Sequence, residues 1–332
     1  MADPKKFKPM LAANDACDFS VLEHVTYPVI VQPKLDGVRC ITLPMPTGLD
    51  EQTQSDLDRQ GYRSQPFSRT LKSIPNNMIR HELRELPWGL DGELMVFEPS
   101  GSGRFLPFKD VQSAVMSQQG DPDFVFMIFD CFNSPEIPYL VRYETLANLP
   151  IPDQAELPIQ LVPSFIAQTE ADVRQAYAEL LAAGYEGACL RDPKGPYKYG
   201  RSTLNQAWLL KLKPKETAEA EVLEVLPLER NTNPAKLDEL GHTKHSSHKA
   251  GMVAQELMGA LRVRGLNGPF TGKEFKIGSG FDGDTRWAIW ARRVEWIGKA
   301  VTFEYSPDPS YDLPRHPTFK GIRSDLDFDG AA

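Results

Sequence analysis

Two β-rich runs stand five residues apart near the start of the chain, and the short piece between them limits what the first domain can be. Val29-Ile30-Val31-Gln32 stops at Pro33, and residues 38–43 form the second run. Apolar and β-branched residues at that density read as buried strands. Between them, Lys34-Leu35-Asp36-Gly37 reads as a turn, with Asp-Gly as the hairpin signal. Taken alone, this is a hairpin turn with exposed charges.

Further strands are expected at residues 94–97 and 124–129, and residues 44–66 are polar enough to be a loop. The clearest helix is 172–183, where Val173, Ala176, Tyr177, Leu180 and Leu181 share a face. Thr169 and Asp172 resemble a capping box, and Gly184 sits where a helix C-cap belongs. Strands at 187–191 and 207–212 follow. The polar stretch 214–219 marks a domain boundary, and beyond it short strands at 221–225, 259–263, 274–277 and 300–305, with one helix near 284–293, suit a small OB-type barrel. The 332 residues therefore divide into domains at 1–215 and 216–332. With 41% apolar and 25% charged residues the composition is that of a globular protein. It contains no apolar run of 18 and no secretory-type leader, so no membrane association is expected. Cys17, Cys40, Cys131 and Cys189 are scattered without a CxxC pair, which argues against a disulfide framework and for a reducing cytoplasm.

The net charge of −8, from 37 basic and 45 acidic residues, speaks on its face against a nucleic-acid partner. The distribution reverses that reading. Residues 191–215 hold Arg191, Lys194, Lys198, Arg201, Lys211, Lys213 and Lys215 against one acid, Asp192. A basic face on an acidic protein still binds phosphates. Lys211 and Lys213 alternate along a strand and point the same way, an arrangement that wants an anion between them. The segment 229–255 interrupts the barrel and carries Asn231, Asn233, Lys244, His245 and Lys249. Its three histidines, His242, His245 and His248, lack cysteine or carboxylate support for a metal. A solvated loop is one reading of this insertion; its small polar and basic residues favour contact with DNA phosphates.

Six motifs in order carry a resemblance to the ATP-dependent DNA ligases of the covalent nucleotidyltransferase superfamily. They are Lys34-Leu-Asp-Gly-Val-Arg39, Ser68-Arg69, Leu90-Asp-Gly-Glu93, Phe129-Asp130, Glu186-Gly187 with Arg191, and Lys211-Leu-Lys213. Phe275-Lys-Ile-Gly-Ser-Gly-Phe281 and Arg315-His-Pro-Thr-Phe319 extend the likeness into the barrel. The resemblance implies an α+β fold: an adenylyltransferase domain of antiparallel sheets flanked by helices, ATP-grasp-like, followed by a C-terminal OB-fold barrel. It implies Lys34 as the nucleophile that takes AMP from ATP, Gln32 as an adenine contact and Phe129 as the ring stacked on adenine. Arg39 and Glu93 would hold the ribose and phosphate, Arg69 the AMP phosphate or the incoming 5′-phosphate, and Lys211 and Lys213 the triphosphate. Glu93 and Glu186 are hard-oxygen ligands suited to Mg²⁺, for which Mn²⁺ can substitute. Lys194, Lys198 and Arg201, with Lys244, His245 and Lys249 of the insertion, are the expected DNA contacts. Arg323 and Asp325 match the motif for domain closure, although Leu326 stands where the family usually has lysine.

A lysine amine attacks phosphorus only when unprotonated, and its ordinary pKa of about 10.4 makes that form scarce at neutral pH. Lys211, Lys213 and Arg39, together with a bound metal, are expected to lower it. The implied reaction is the sealing of nicks in duplex DNA, as in repair and replication, by a monomer in the cytoplasm of a bacterial or phage-infected cell. Only 33 residues precede Lys34, where an NAD-dependent ligase would carry a nicotinamide-recognising domain, and the cysteines do not cluster into a zinc module, so ATP is expected rather than NAD. The compact two-domain layout resembles bacteriophage ligases, and residues 213–218 are the expected hinge. The rival readings are an RNA ligase, an mRNA capping guanylyltransferase and an inactive nick-binding protein.

Overall fold

Alternation along the first strand decides which side of it meets the core. Val29 and Val31 join a buried cluster with Ala188, Leu190, Leu210 and Leu212, leaving Gln32 and Lys34 on the opposite face. The structure, a computed structural model, describes residues 7–13, 18–44, 64–148, 158–237, 243–307 and 311–322. Two compact units result, Met1–Lys213 and Pro214–Ala332.

The first unit contains β1 (Val29–Lys34), β2 (Val38–Pro44), β3 (Ser64–Ser68), α1 (Asn77–Leu83), β4 (Leu90–Val96), α2 (Phe108–Met116) and β5 (Phe124–Cys131). It continues with α3 (Tyr139–Ala147), β6 (Ile159–Leu161), β7 (Phe165–Ala167), α4 (Glu170–Ala182), β8 (Gly187–Arg191) and β9 (Leu209–Leu212). These make one sheet in the order β7-β1-β8-β9 and another in the order β3-β2-β4-β5-β6. All pairs are antiparallel except β5 with β6. The outer face of the first sheet is covered by α4 through Val173, Ala176 and Tyr177. Ile79 and Leu83 of α1 and Val111 and Val115 of α2 cover the second through Leu90, Leu94, Phe126 and Ile128.

The turn at residues 34–37 does not make the expected hairpin. β1 pairs with β7 and β8, whereas β2 pairs with β3 and β4, so the turn carries the chain from one sheet to the other. Neither Asp36 nor Gly37 takes the left-handed backbone that a type I′ hairpin requires. A Cβ on Gly37 would collide with the Leu94 carbonyl and the Met95 side chain, so the absence of a side chain lets the turn lie directly on β4. Pro33 is also no strand end: it pairs with Ala188 inside the β1–β8 ladder. The capping box of α4 forms, with the Asp172 N–H donating to Thr169 Oγ1 and the Thr169 N–H donating to Asp172 Oδ2. Of the expected loop 44–66, residues 64–66 belong to β3 and 45–63 lie outside the described residues.

The second unit contains β10 (Glu216–Asn231), β11 (Ala235–Leu237), β12 (Thr243–His245), β13 (Met252–Gly265), β14 (Glu274–Ile277), α5 (Gly283–Ala291), β15 (Ala300–Ser306) and β16 (Arg315–Ile322). Its main sheet runs β14-β13-β10-β15-β16, and a bridge between Ser279 and Thr318 brings the two edges together. Five such strands, with a helix between the third and fourth, are the OB-type arrangement. Ala220, Val222, Leu261, Val263, Phe303 and Tyr305 fill the barrel. The expected linker 213–218 is corrected at its end: β10 begins at Glu216, paired with Tyr305, so 216–218 are strand. β10 and β13 are also far longer than expected. Their pairing runs on from Leu228↔Gln255 to Asn231↔Met252 as a ribbon, beyond which β11 pairs with β12. Among the described residues no helix is long and apolar enough to cross a membrane.

Candidate active site

Lys34 ends β1 on the face turned away from the α4-covered core, and β8 runs antiparallel beside it. That register puts Gly187 opposite Lys34, Cys189 opposite Gln32 and Lys211 opposite Cys189, all on one side of the sheet. Glu186, just before β8, accepts hydrogen bonds from the ammonium groups of both Lys34 and Lys213. One carboxylate therefore bridges the two lysines.

Burial disfavours the charge on Lys34, but the acidic groups around it, the Glu186 carboxylate foremost, together hold Lys34 above the ordinary lysine range. The nearest charge to Lys34 is thus an anion, Glu186, rather than one of the cations expected beside it. Glu186 is likewise held below the usual carboxylate range: burial opposes its charge, and Lys34 and Lys213 together prevail. The anion expected between Lys211 and Lys213 is, for Lys213, Glu186 itself.

The second sheet contributes the opposing wall. Arg39 on β2 pairs in register with Glu93 on β4, but its guanidinium turns to Asp91, with Nε and Nη2 on the carboxylate oxygens at 2.5 and 2.6 Å. Asp91 is wholly buried and also accepts the Tyr197 hydroxyl at 2.6 Å. Glu93 lies at mid-strand rather than at the strand end expected, and burial pushes its carboxyl up to about 7 despite Arg39 and Lys34 nearby.

Phe129 owes its position to an irregularity. Asp91 faces Asp130, but Gly92 faces Ile128, so Phe129 is the extra residue of a β-bulge and the only half-buried position on β5. It packs with Val125 and Met127, the face-mates alternation gives it. The Arg39 and Arg191 guanidinium groups lie 4.7 and 5.2 Å from its ring centroid.

Gln32 is buried, its Nε2 donating to Ser164 Oγ at 2.8 Å and its Oε1 accepting from Arg191 Nε at 3.0 Å. Arg191 is therefore no part of a basic face. It is buried, and its other end meets Asp130 at 2.7 Å. Asp91, Asp130, Arg142 and Ser164 were not singled out as site residues from sequence, although Asp91 and Asp130 stand inside two of the motifs.

The remaining candidates lie on outer segments. Arg69 is exposed on the turn after β3, and Lys194 is exposed after β8. Lys198 donates to Gln206 Oε1 at 2.7 Å, and Arg201 to the Ala12 carbonyl at 2.7 Å. In the second unit Lys244, His245 and Lys249 are exposed at the end of the ribbon. His245 Nδ1 donates to the Asn233 carbonyl, and His248 Nδ1 accepts from the Ala250 N–H, so both rings brace the ribbon tip. Arg323, Asp325 and His242 lie outside the described residues.

No group of three or more His, Cys, Asp or Glu able to hold a metal occurs among the described residues. The donor chemistry that is present, Glu93 and Glu186 beside a cluster of phosphate-seeking cations, suits a cation shared with a substrate's phosphates.

A family model for the ATP dependent DNA ligase domain matches residues 9–213, and one for the DNA ligase OB-like domain matches residues 251–323. A probable DNA ligase of Kineococcus radiotolerans is 29% identical over 284 residues, which is 83% of this chain and 47% of that protein. The chain thus spans about half the length of the curated relatives it matches. The solved Chlorella virus DNA ligase-adenylate is 30% identical, covering 97% of this chain and 100% of its own, with a TM-score of 0.49. A Lig E DNA ligase structure shares the fold at 21% identity, covering 94% of this chain and 99% of its own, with a TM-score of 0.62. With the matched domain spanning both sheets and the Lys34 cluster between residues 9 and 213, the chain belongs to the ATP-dependent DNA ligase family.

Proposed function

We propose that this chain seals nicks in duplex DNA as a monomer, through a covalent AMP carried on Lys34. The observation that supports it best is Lys34 itself, a half-buried lysine on a strand end, bridged through Glu186 to a second lysine.

Glu186 keeps Lys34 charged and unreactive. A triphosphate presented to Lys211 and Lys213 competes for Lys213, loosening the bridge and letting Lys34 give up its proton. The Lys34 amine then displaces pyrophosphate from the α-phosphorus and becomes a phosphoramidate of AMP. Lys34 next surrenders AMP to the 5′-phosphate of the nick, and the nick's 3′-hydroxyl attacks that activated phosphate, releasing AMP. Phe129 stacks on adenine, Gln32 reads its edge, and Arg39 with Glu93 holds ribose and phosphate. Glu93 and Glu186 would hold Mg²⁺, which supplies positive charge among the phosphates. In this reading the first unit performs adenylation, and the second, with its long β10–β13 ribbon, carries duplex contacts alongside Arg69, Lys194, Lys198 and Arg201.

Intact mass after incubation with ATP and Mg²⁺ tests the central step. Wild type gains about 329 Da, and Lys34→Ala gains nothing. Conversion of a nicked duplex by the adenylated protein then separates a DNA ligase from an RNA ligase or a capping enzyme. A wild type first stripped of AMP with pyrophosphate that gains no mass would sink the reading.

A further inference from the structure

Behind Gln32 runs a buried chain of charges that the three steps of the proposed reaction do not use. Asp130, wholly buried, accepts from Arg142 Nε at 2.8 Å and Nη2 at 3.2 Å, and from Arg191 Nη1 at 2.7 Å. Arg142, on α3, is itself fastened through Nη1 to the carbonyls of Ile137 and Gly195. Arg191 divides its fork, giving Nη1 to Asp130 and Nε to Gln32 Oε1. At the other end of the amide, Gln32 Nε2 donates to Ser164 Oγ, whose hydroxyl donates to the Val162 carbonyl at 3.4 Å.

A glutamine amide is nearly symmetric in shape, and a flip exchanges its donor for its acceptor. A guanidinium only donates. Oε1 must therefore face Arg191, which leaves Nε2 for Ser164, so the flip is decided from behind. One lone pair on Oε1 and one N–H on Nε2 remain for a ligand. A 6-aminopurine offers a donor beside a ring-nitrogen acceptor, the pattern a glutamine amide matches with both ends. A 6-oxopurine puts an acceptor where that donor was, and a locked amide cannot turn to meet it.

We infer that Arg191, held by Asp130 and Arg142, is a positioning residue that fixes the flip of Gln32 and thereby makes the pocket choose a 6-aminopurine nucleotide over a 6-oxopurine one. The inference rests on Gln32 as the base contact of the nucleotide pocket proposed above. A network that merely tied α3 to the sheets would affect stability without touching base preference.

ATP and ITP differ at the 6-position and its attendant ring proton, so their relative binding isolates the effect. Calorimetric binding of each is measured on full-length Lys34→Ala, which holds nucleotide without transferring it, and again with Arg191→Lys or Gln32→Leu added. The parent prefers ATP. Arg191→Lys lowers that preference at least about fivefold, Gln32→Leu lowers it as far, and the two together go no further. Arg191→Met, which leaves Asp130 paired with Arg142, serves if the lysine variant does not fold. An unchanged ATP-to-ITP ratio in the Arg191 variants overturns the inference, as does a ratio lost there but kept in Gln32→Leu. Mass-detected adenylation of wild type without an ATP preference overturns the inference alone. An Arg191-dependent preference with no adenylation overturns the activity alone, and binding of neither nucleotide overturns both.

Discussion

The Glu186 carboxylate accepts a hydrogen bond from the Lys34 ammonium across 152 residues of sequence. The pair keeps the proposed nucleophile charged. Lys34 is held above its ordinary range, so the stability the pair contributes is fully present below the unfolded lysine pKa of about 10.4 and is lost only as pH rises through the higher folded value. Replacing Glu186 by Gln removes the counter-charge and leaves burial acting alone in the opposite direction. Lys34 should then titrate lower than in the wild type. The rate at which an amine-selective reagent labels Lys34, followed by peptide mass against pH, reads this directly. A superimposable profile for Glu186→Gln would show that the carboxylate does not govern the nucleophile.

Glu93 behaves in the opposite sense. Burial raises its carboxyl to about 7, so between the unfolded value and 7 the folded state binds more protons than the unfolded one. Stability therefore falls as pH climbs through that window. Glu93→Gln lacks the titration and should gain on wild type by on the order of 3 kcal/mol between pH 4.5 and pH 8. Urea unfolding of both proteins at the two pH values measures the difference of differences. An identical gap at both ends would mean that folding does not raise the Glu93 carboxyl.

Phe129 stands out of the β5 ladder at a bulge, close to the guanidinium groups of Arg39 and Arg191. Were the ring only core, its loss would lower the melting temperature and leave nucleotide affinity alone. As a stacking platform its removal in Phe129→Ala should raise the KM for ATP in lysine adenylation roughly tenfold to a hundredfold. Phe129→Trp should recover most of that. Failure of the tryptophan to recover it, in a protein that melts normally, would assign the ring to packing.

How much of this was legible in the sequence depends on whether a contact is local. The α4 capping box, Gly184 with its left-handed φ of 87°, and the face shared by Val125, Met127 and Phe129 follow from spacings of four or fewer residues. β10 was misread at its start because Glu216-Thr-Ala-Glu-Ala-Glu is rich in residues that strands avoid. What makes it a strand is pairing with β15 on one side and β13 on the other, information held some 40 to 90 residues away. The turn at Lys34 looked like a hairpin because Asp-Gly signals a tight reversal, while the choice of sheet is made by the contact of Gly37 with β4. Arg191 read as one more surface cation for the same reason: Asp130 and Gln32, which bury it, are 61 and 159 residues distant.

The ribbon at β10–β13 gives the DNA reading its own test. Asn233 Nδ2 donates to the Ser246 and His248 carbonyls, each at 2.9 Å, and His245 donates back to the Asn233 carbonyl, so the tip is braced by its own polar side chains. Lys244 and Lys249 stand exposed on that frame. If each meets a phosphate, replacing both by alanine should lower the slope of log affinity against log salt by about 2, since each neutralised phosphate releases close to one counterion. Adenylation of Lys34 should be untouched, because neither lysine belongs to the nucleotide pocket. Fluorescence anisotropy with a labelled nicked duplex across a salt series gives the slope, and intact mass gives the adenylation control. An unchanged slope would remove these two lysines from the interface and shift the burden of duplex binding to Lys194, Lys198 and Arg201. A slope reduced together with adenylation would instead indicate a folding defect, which the thermal melt of the same variant would reveal.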